Sequence, residues 1–238
     1  MADKPIAYDA YQQLADDYAR NIDSKPHNAF YDRPAMLSLL PDVQGWRVLD
    51  VGCGPGAYTE ALLERGAVVT AVDISPKMLE HAKRRVGERA KFLQLDLTQP
   101  MEPFFSDGTF DLINAPLCLD YIEDWRTLFR QFHRVLDTAG LFLFSCGHPA
   151  FDAEYFRTEQ YFSVEPASSV WTGFGNPVEV PCYRRSMEEV IMPVLDSGFR
   201  LIRLHEPLPT EQFRKADPVR YQRLMHRPGF LCVVAQKV

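Results

Sequence analysis

The sequence lacks the features that would assign it to several large classes of protein. No apolar run approaches the roughly 20 residues that a membrane-spanning helix needs, and the N-terminus shows no apolar segment of a signal peptide. The five cysteines include no C-x-x-C pair, which argues against a disulfide framework and against a zinc site. These absences predict a cytoplasmic globular protein that does not associate with membranes.

Positive charge and metal-binding motifs are also scarce. The formal net charge of −6 gives no general attraction to nucleic acid. No H-x-E motif, D-x-D motif or histidine cluster indicates a bound metal. With 238 residues, of which 46% are hydrophobic, the chain is long enough for one domain with a sizeable core. We therefore expect a single domain without a metal and without a nucleic-acid partner.

Strand-like and helix-like segments alternate between residues 45 and 147, which indicates a parallel sheet with helices on both faces. Five short apolar runs are typical of strands: RVLDV, AVVTAVD, KFLQLDL, TFDLINA and LFLFSC. The segment WRTLFRQFHRVL has apolar residues at helical spacing and is expected to end near Gly140. Two further strands, FRLIRLHE and FLCVVAQK, follow one more helix and are expected to pair antiparallel.

Two regions fall outside this alternation. Residues 1–40 carry Tyr8, Tyr11 and Tyr18 on one helical face, which predicts an N-terminal helical lid. The region 148–185 is rich in aromatic residues, Pro, Ser and Gly and shows no sustained period, so we expect an irregular insertion that caps a binding site. One domain would then consist of the lid (1–40), a ligand-binding core (45–147), the cap insertion (148–185) and the completion of the sheet (186–238).

The first predicted strand runs into a glycine-rich turn, in the segment VLDVGCGPGAYTEAL. The pattern Gly52-x-Gly54-x-x-Ala57 fits a dinucleotide fingerprint, so an NAD(P)-dependent oxidoreductase is one interpretation. Asp50 argues for a different ligand, because a pyrophosphate at the helix N-terminus would face this carboxylate at close range. A ligand with an amino group and a sulfonium would instead be attracted, which favours S-adenosylmethionine.

Two more acids close the next two predicted strands. Asp73 ends the strand AVVTAVD, where its two oxygens could accept from both hydroxyls of a ribose. Asp96 ends the strand of LQLDL, where a carboxylate could accept from the exocyclic amine of adenine. Each acid could instead serve only its own turn or helix cap. Taken together, three acids at three successive strand ends indicate one nucleoside ligand.

The segments VLDVGCGPG, VDISPKML, LQLDL and FDLINAPLCLDYIEDW follow one another in this order. As a set they resemble the successive motifs of the class I S-adenosylmethionine-dependent methyltransferases, of the small-molecule type 11 kind, over residues 8–147. The resemblance implies a doubly wound, Rossmann-like α/β fold with a seven-stranded sheet of order 3-2-1-4-5-7-6, strand 7 being antiparallel. It also implies an enzyme that moves a methyl group to a small-molecule acceptor and releases S-adenosylhomocysteine.

The resemblance also implies which residues bind the cofactor. The methionine end is expected against Asp50, Gly52, Cys53, Gly54 and Gly56. The ribose is expected against Asp73, with Ile74 and Met78 in the same site, the adenine against Asp96 and Leu97, and the sulfonium against the backbone of Asn114 and Ala115. The N-terminal segments YQQLADDYAR and FYDRPA add Tyr18, Tyr31 and Arg33, the last two near the cofactor carboxylate, although these aromatic residues could simply pack the helix on the sheet.

His148 is the candidate general base, because it follows the fifth strand at the expected catalytic edge of the sheet and titrates in the useful range. A histidine that bonds locally in a Pro-containing turn is the alternative. The fourth-strand motif NAPL departs from the N-P-P-[YF] of enzymes that methylate exocyclic or amide nitrogens, which counts against such targets. A non-catalytic protein that binds the cofactor is the alternative to an enzyme.

A basic segment near the C-terminus stands out in this acidic chain: it contains Arg214, Lys215, Arg220, Arg223 and Arg227. Asp217 and Pro218 divide it into two short helical pieces, and three of the arginines lie on one helical face. We interpret this face as a solvated one. Contact with an anionic acceptor or with RNA is the alternative.

Overall fold

The structure, a computed structural model, describes residues 5–238, so residues 1–4 of the predicted lid lie outside the described range. Within it the strands are β1 (Arg47–Val51), β2 (Val68–Asp73), β3 (Lys91–Gln94), β4 (Phe110–Pro116), β5 (Leu136–Gly147), β6 (Glu165–Trp171), β7 (Val178–Arg184), β8 (Phe199–His205) and β9 (Phe230–Lys237). The α-helices are α1 (Tyr8–Asn21), α2 (Arg33–Leu39), α3 (Ala57–Glu64), α4 (Pro76–Val86), α5 (Trp125–Val135), α6 (Pro149–Tyr155), α7 (Met187–Asp196), α8 (Glu211–Ala216) and α9 (Pro218–Leu224).

Seven strands form one twisted sheet in the order β3-β2-β1-β4-β5-β9-β8. Neighbours from β3 to β5 pair in parallel, whereas β9 runs antiparallel to both β5 and β8. Counting the strands of this sheet alone, the order is the predicted 3-2-1-4-5-7-6 with the last strand antiparallel. The predicted doubly wound fold is therefore confirmed, and it brings the carboxyl ends of β1, β2 and β4 to one edge.

The two faces of the sheet carry separate hydrophobic cores. Phe142 and Phe144 of β5 point to one face, where they pack with residues of α5 and α7 such as Phe129 and Val190. Leu143 points to the other face, which is covered by α2, α3 and α4. This alternation follows from the period of two in a strand, and it explains why the strands read as almost continuous apolar runs.

The end of α5 differs from the prediction. The helix ends at Val135, and Leu136 is already extended and pairs with Phe110 of β4. Ala139 then adopts a left-handed conformation (φ 60°), and regular pairing resumes at Leu141. Gly140 therefore lies inside β5 instead of at the end of a helix. The prediction was wrong because the strand carries an irregularity next to β4 that the glycine alone did not reveal.

The insertion 148–185 is more regular than the sequence predicted. It contains α6 and an antiparallel hairpin of β6 and β7. Pro166 and Pro181 within these two strands obscured them, because proline is rare in paired strands and is confined mostly to edges. The hairpin packs against α1: Phe174 stacks on Tyr18 with 4.8 Å between ring centroids, and Trp171 contacts Tyr11 edge-on at 6.2 Å.

Two carboxyl groups meet where α6 joins the end of β5. The backbone N–H of Gly147 donates to Asp120 at 3.0 Å, and the carboxylate of Asp152 packs directly against the Cα of Gly147. Burial raises the pKa of Asp120 to about 6. Burial and the neighbouring charge of Asp120 raise the pKa of Asp152 to about 8. Asp152 therefore keeps its proton at neutral pH in the folded protein.

We predict that the free energy of unfolding falls as the pH rises towards 8, because the folded state holds a proton on Asp152 that the unfolded state has lost. Unfolded Asp152 ionises near an ordinary pKa of about 4, so between about pH 4 and pH 8 only the folded state holds the proton. The free energy of unfolding then falls by up to about 1.4 kcal/mol per pH unit from this group. Thermal unfolding at about pH 6.5 to pH 8 should show a falling midpoint that is largely absent in Asp152→Asn. The exposed control Asp42→Asn should keep the wild-type slope; equal slopes in all three proteins would contradict the assignment.

Candidate functional site

A cleft of about 1050 Å³, including the part open to solvent, lies at the carboxyl ends of β1, β2 and β4. This edge is where open α/β sheets bind their ligands. The helix α1 covers it and is tied to α4 by a 2.8 Å contact between His81 and Asp16. Among the residues predicted from the sequence, those that line the cleft are Tyr18, Arg33, Gly52, Cys53, Gly54, Asp73, Ile74, Met78, Asp96 and Leu97.

Asp50 does not reach the cleft wall, although it was the residue that favoured the cofactor. Its side chain is fully buried, and both oxygens are bonded within the protein: Thr59 Oγ1 donates at 2.6 Å and Asn114 Nδ2 at 2.9 Å. Burial raises its pKa to about 6. Asp50 thus ties β1, β4 and α3 together behind the cleft, and both of its oxygens are bonded within the protein.

The strand-end acids Asp73 and Asp96 do face the cleft. Asp73 Oδ2 accepts from the backbone N–H of Gly54 at 2.9 Å, and Oδ1 accepts from that of Ser75 at 2.8 Å. Burial raises the pKa of Asp73 to about 6. Oδ1 of Asp96 accepts from the backbone and the hydroxyl of Thr98. Each carboxylate keeps lone pairs for a ligand, because a carboxylate offers about four acceptor positions.

Three other predicted residues lie behind the wall. Asn114 and Ala115 are buried in β4, and their place on the cleft is taken by Pro116 and Leu117. The strand ends one step later than its apolar pattern implied, which shifts the exposed backbone along the chain. Gly56 also faces away, because a Cβ there would meet Ala82 of α4 at 3.1 Å.

Tyr31 belongs to a different cluster. Its hydroxyl accepts from the backbone N–H of Gly229 at 3.0 Å, and its ring packs against Phe213, Leu224 and Phe230. Consecutive residues in a helical turn point to different faces. The turn 28–32 therefore directs Tyr31 towards the C-terminal helices while its neighbour Asp32 faces the cleft, and Tyr31 does not line the cleft.

His148 is not placed to act as a base in the cleft. It is buried at the start of α6, where Nδ1 accepts from the backbone N–H of Ala150 at 3.2 Å and Nε2 lies 2.9 Å from Glu206 Oε1. With Nδ1 accepting, Nε2 carries the proton and donates to Glu206. His148 caps a helix, as the local alternative proposed, and it does not line the cleft.

An acid and a tyrosine that were not predicted from the sequence meet at the cleft. Asp32 is only 1% exposed, yet it lines the cleft. Its Oδ2 accepts from the Tyr58 hydroxyl at 2.5 Å, whereas its Oδ1 has no hydrogen-bond partner. Burial raises the pKa of Asp32 to about 6, and the hydroxyl groups of Ser145 and Tyr58 beside the carboxyl group partly offset this rise. The five-residue turn Asn28–Asp32 is a π-helix, a conformation that is frequent at functional sites and has no simple sequence signal.

A second pair of hydroxyl groups lines the cleft beyond the glycine turn. The Tyr11 and Tyr121 hydroxyl oxygens lie 2.6 Å apart, so one of the two phenols donates to the other. Burial raises the pKa of both phenols well above the ordinary value, so both keep their protons at neutral pH. Burial likewise raises the pKa of the thiols of Cys53 and Cys118, which excludes a thiolate nucleophile in the cleft.

The described part of the chain holds no group of side chains that could bind a metal ion. Over residues 5–238, no group of three or more His, Cys, Asp or Glu side chains is arranged to hold a metal ion. None of the helices described in the same range is long and apolar enough to cross a membrane.

Comparison with known proteins agrees with this geometry. The family model described as "Methyltransferase domain" matches residues 49–144, which contain most of β1, all of β2 to β4 and most of β5. A solved S-adenosylmethionine-dependent methyltransferase from Mesorhizobium loti is 26% identical, with a TM-score of 0.70 over 91% of this chain and all of that one (100%). A solved structure from Listeria monocytogenes superposes with a TM-score of 0.76 at 25% identity, over 87% of this chain and 96% of that one.

Sequence relatives fall into two groups. An uncharacterized protein of Haemophilus influenzae is 29% identical over 99% of this chain and 96% of its own length. Relatives with named activities match a shorter segment: a malonyl-[acyl-carrier protein] O-methyltransferase of Legionella pneumophila is 31% identical over 57% of this chain, and a demethylmenaquinone methyltransferase of Tropheryma whipplei is 36% identical over 52%. The alignments span about half the length of these two relatives (48% and 52%).

The sheet order, the cleft at its carboxyl edge and these similarities agree with one another and decide against the NAD(P)-dependent alternative. The cofactor is S-adenosylmethionine: residues 49–144 match the methyltransferase domain, and the whole chain has the fold of the S-adenosylmethionine-dependent methyltransferases.

Proposed function

We propose that the protein transfers the methyl group of S-adenosylmethionine to a small, uncharged and largely apolar acceptor in the cytoplasm. One observation carries the proposal: past the glycine turn the cleft wall is aromatic and aliphatic, and Arg33 is the one cation among the described residues that line it. A phosphate or sulfonate on the acceptor would have to share that single cation with the cofactor. The names of the relatives, which refer to malonyl-[acyl-carrier protein] and demethylmenaquinone, support a metabolic acceptor.

The glycine turn supports the position of the cofactor. Gly52, Gly54 and Gly56 all have positive φ, but an added Cβ would meet Cys118 at Gly52 and Ala82 at Gly56. At Gly54 it would meet nothing within 4 Å, although the residue lines the cleft. Packing within the protein therefore accounts for the first and third glycines, whereas the open space at Gly54 fits the close approach of a ligand to the backbone.

The acids that face the cleft fit the nucleoside part of the cofactor. We assign the ribose hydroxyls to Asp73, because its bonds to Gly54 and Ser75 hold the carboxylate in place and leave lone pairs free. We assign the adenine to Asp96 and Leu97, at the end of the next strand. Ile74 and Met78 supply apolar contacts between the two.

Methyl transfer requires little from the protein beyond the orientation of the two reactants. When bound, the sulfonium supplies an electrophilic methyl carbon to the acceptor. The chain aligns the acceptor and excludes water with α1 and the aromatic wall. Among the described residues that line the cleft there is no histidine. We therefore propose that the acceptor is held by the protonated pair Tyr11 and Tyr121 and is not activated by His148.

The basic segment near the C-terminus supports a small acceptor over nucleic acid. Arg214 pairs with Glu211 and Arg220 with Asp217, both within one helical turn. Arg227 pairs across to Glu154 of α6. Because these arginines are already paired with acids, the segment offers little unbalanced charge to a phosphate backbone.

We predict that Gly54→Ala weakens the binding of S-adenosylhomocysteine about tenfold or more, equivalent to about 1.4 kcal/mol, because the new methyl group enters the cleft. Isothermal titration calorimetry measures the effect. The control is Gly45→Ala, which has a similar φ (75° against 53°) and open surroundings but lies outside the cleft. Both variants should lose comparable thermal stability through backbone strain. Equal affinity in the two variants would contradict the close approach at Gly54.

Pairs of compounds that differ only in a sulfonate group test whether the acceptor is uncharged. We predict that tritium from [methyl-³H]S-adenosylmethionine enters neutral aromatic or aliphatic acceptors at least about tenfold faster than the same compounds carrying a sulfonate, since a buried unpaired charge costs more than 1.4 kcal/mol. Bulk tRNA is included as a macromolecular candidate acceptor. Faster transfer to the sulfonated partners, or label recovered in acid-insoluble RNA, would contradict the proposed acceptor.

A further inference from the structure

The hairpin of β6 and β7 packs on the helix α1 and contributes nothing to the wall of the cleft. Tyr11 and Tyr18 of α1 line the cleft, but none of the described residues that line it belongs to the insertion 148–185. The hairpin instead packs against these two tyrosines, in a hydrophobic cluster that includes Phe174 and Val180. The helix α1 therefore lies between the cleft and the hairpin.

The tip of the hairpin, residues 172–177, fits closely against α1. The side chain of Phe174 is buried, and its ring stacks on that of Tyr18 with 4.8 Å between the centroids. A side chain on Gly175 would collide with the carboxylate of Asp17, so the backbone of the tip lies directly against the helix. Because the tip and α1 are packed without a gap, the helix cannot move away from the cleft unless the tip moves as well.

The base of the hairpin is fixed to the core of the molecule. Arg184, the last residue of β7, is buried and its Nε donates to Glu165 of β6 at 2.7 Å. Nη2 of Arg185 donates to the carbonyl of Ile122 at 2.7 Å, and its guanidinium lies 3.9 Å from the ring centre of Trp125 in α5. A hairpin of two strands is only marginally stable by itself. This one is held by the core at its base and by α1 at its tip.

The contacts of α1 with α4, on its other side, are more exposed. His81 of α4 lies 2.8 Å from Asp16, whose side chain is 69% exposed, and Lys77 donates to the carbonyl of Gln12 at 3.2 Å. Exposed ion pairs contribute little to stability, whereas buried aromatic contacts contribute more. The hairpin therefore supplies the stronger hold on α1.

We propose that the β6–β7 hairpin is a strap that holds α1 over the cleft and must be released before S-adenosylmethionine enters or S-adenosylhomocysteine leaves. Phe174 fastens the strap, and through Tyr18 it positions the part of α1 that faces the cleft. The strap rests on the position of the cofactor proposed above and does not depend on the identity of the acceptor. Because its contacts are made within the protein and not with the ligand, the strap slows entry and exit alike.

The release of [³H]S-adenosylhomocysteine into an excess of unlabelled ligand tests the strap, with the affinity measured by calorimetry. Phe174→Ala should release the ligand about tenfold faster, the scale expected when a buried aromatic contact is lost. The Kd should stay within about threefold of the wild-type value, because entry accelerates together with exit. The control Phe162→Ala removes an aromatic ring of the same insertion that is 81% exposed, and it should keep the wild-type rate.

Two results for Phe174→Ala would overturn the strap. One is release at the wild-type rate. The other is faster release with an equal loss of affinity, which indicates a lost binding contact and not a faster gate. Wild-type protein that does not bind S-adenosylhomocysteine would instead overturn the cofactor site itself.

A reversible cross-link tests the strap in the opposite direction. A Cβ on Gly175 would lie 2.8 Å from Cγ of Asp17, so cysteines at these two positions are within reach of a disulfide, whose Cβ atoms lie about 3.8 Å apart. In the double variant Asp17→Cys/Gly175→Cys, oxidation with S-adenosylhomocysteine bound should slow its release at least about tenfold, and reduction should restore it. The single variant Gly175→Cys, oxidised in the same way, is the control and should not slow. Equal release from the oxidised and reduced double variant, or no cross-link in the folded protein, would contradict the strap.

Discussion

The site depends on one buried carboxylate, that of Asp50. Asp50 lies on β1, and its carboxylate accepts hydrogen bonds from Thr59 on α3 and from Asn114 on β4. It therefore holds three elements together around the glycine turn. The turn from Gly52 to Gly56 has almost no side chains with which to hold itself, and its glycines adopt positive φ. Because this carboxylate is fully buried, leaving either of its oxygens unpaired would be costly. That cost keeps β1, β4 and α3 in place around the glycine turn.

From this anchor the acids of the site divide into two kinds. Both oxygens of Asp50 accept hydrogen bonds from the protein, so Asp50 shapes the cleft. Asp32 and Asp73 instead keep acceptor positions that face the cleft. Burial raises the pKa of all three carboxyl groups to about 6, because it disfavours their ionised form when no cation is near. A cationic ligand compensates such groups directly. The electrostatics of the cleft therefore suit a positively charged nucleoside, and an apolar wall lies beside it.

Sequence reasoning found the parts of the site that local structure determines. A strand-end acid such as Asp73 and a turn glycine such as Gly54 have their direction set by the strand period and by the turn that follows. It failed where direction depends on distant partners. Asp50 turns inwards because Thr59 and Asn114 reach it, and His148 is bound by Glu206, more than fifty residues away. Asp32 was missed because a π-helical turn has no residue pattern that a helical period would reveal.

A crystal structure of the protein with S-adenosylhomocysteine tests this description most directly. We predict adenine beside Asp96 and Leu97, ribose hydroxyls on Asp73 at hydrogen-bond distances of about 2.7–3.2 Å, and the carboxylate of the amino-acid end near Arg33. Asp50 should keep its bonds to Thr59 and Asn114 and make no contact with the ligand. A ligand whose ammonium lies on Asp50, or whose ribose lies away from Asp73, would contradict the division of roles among these carboxylates.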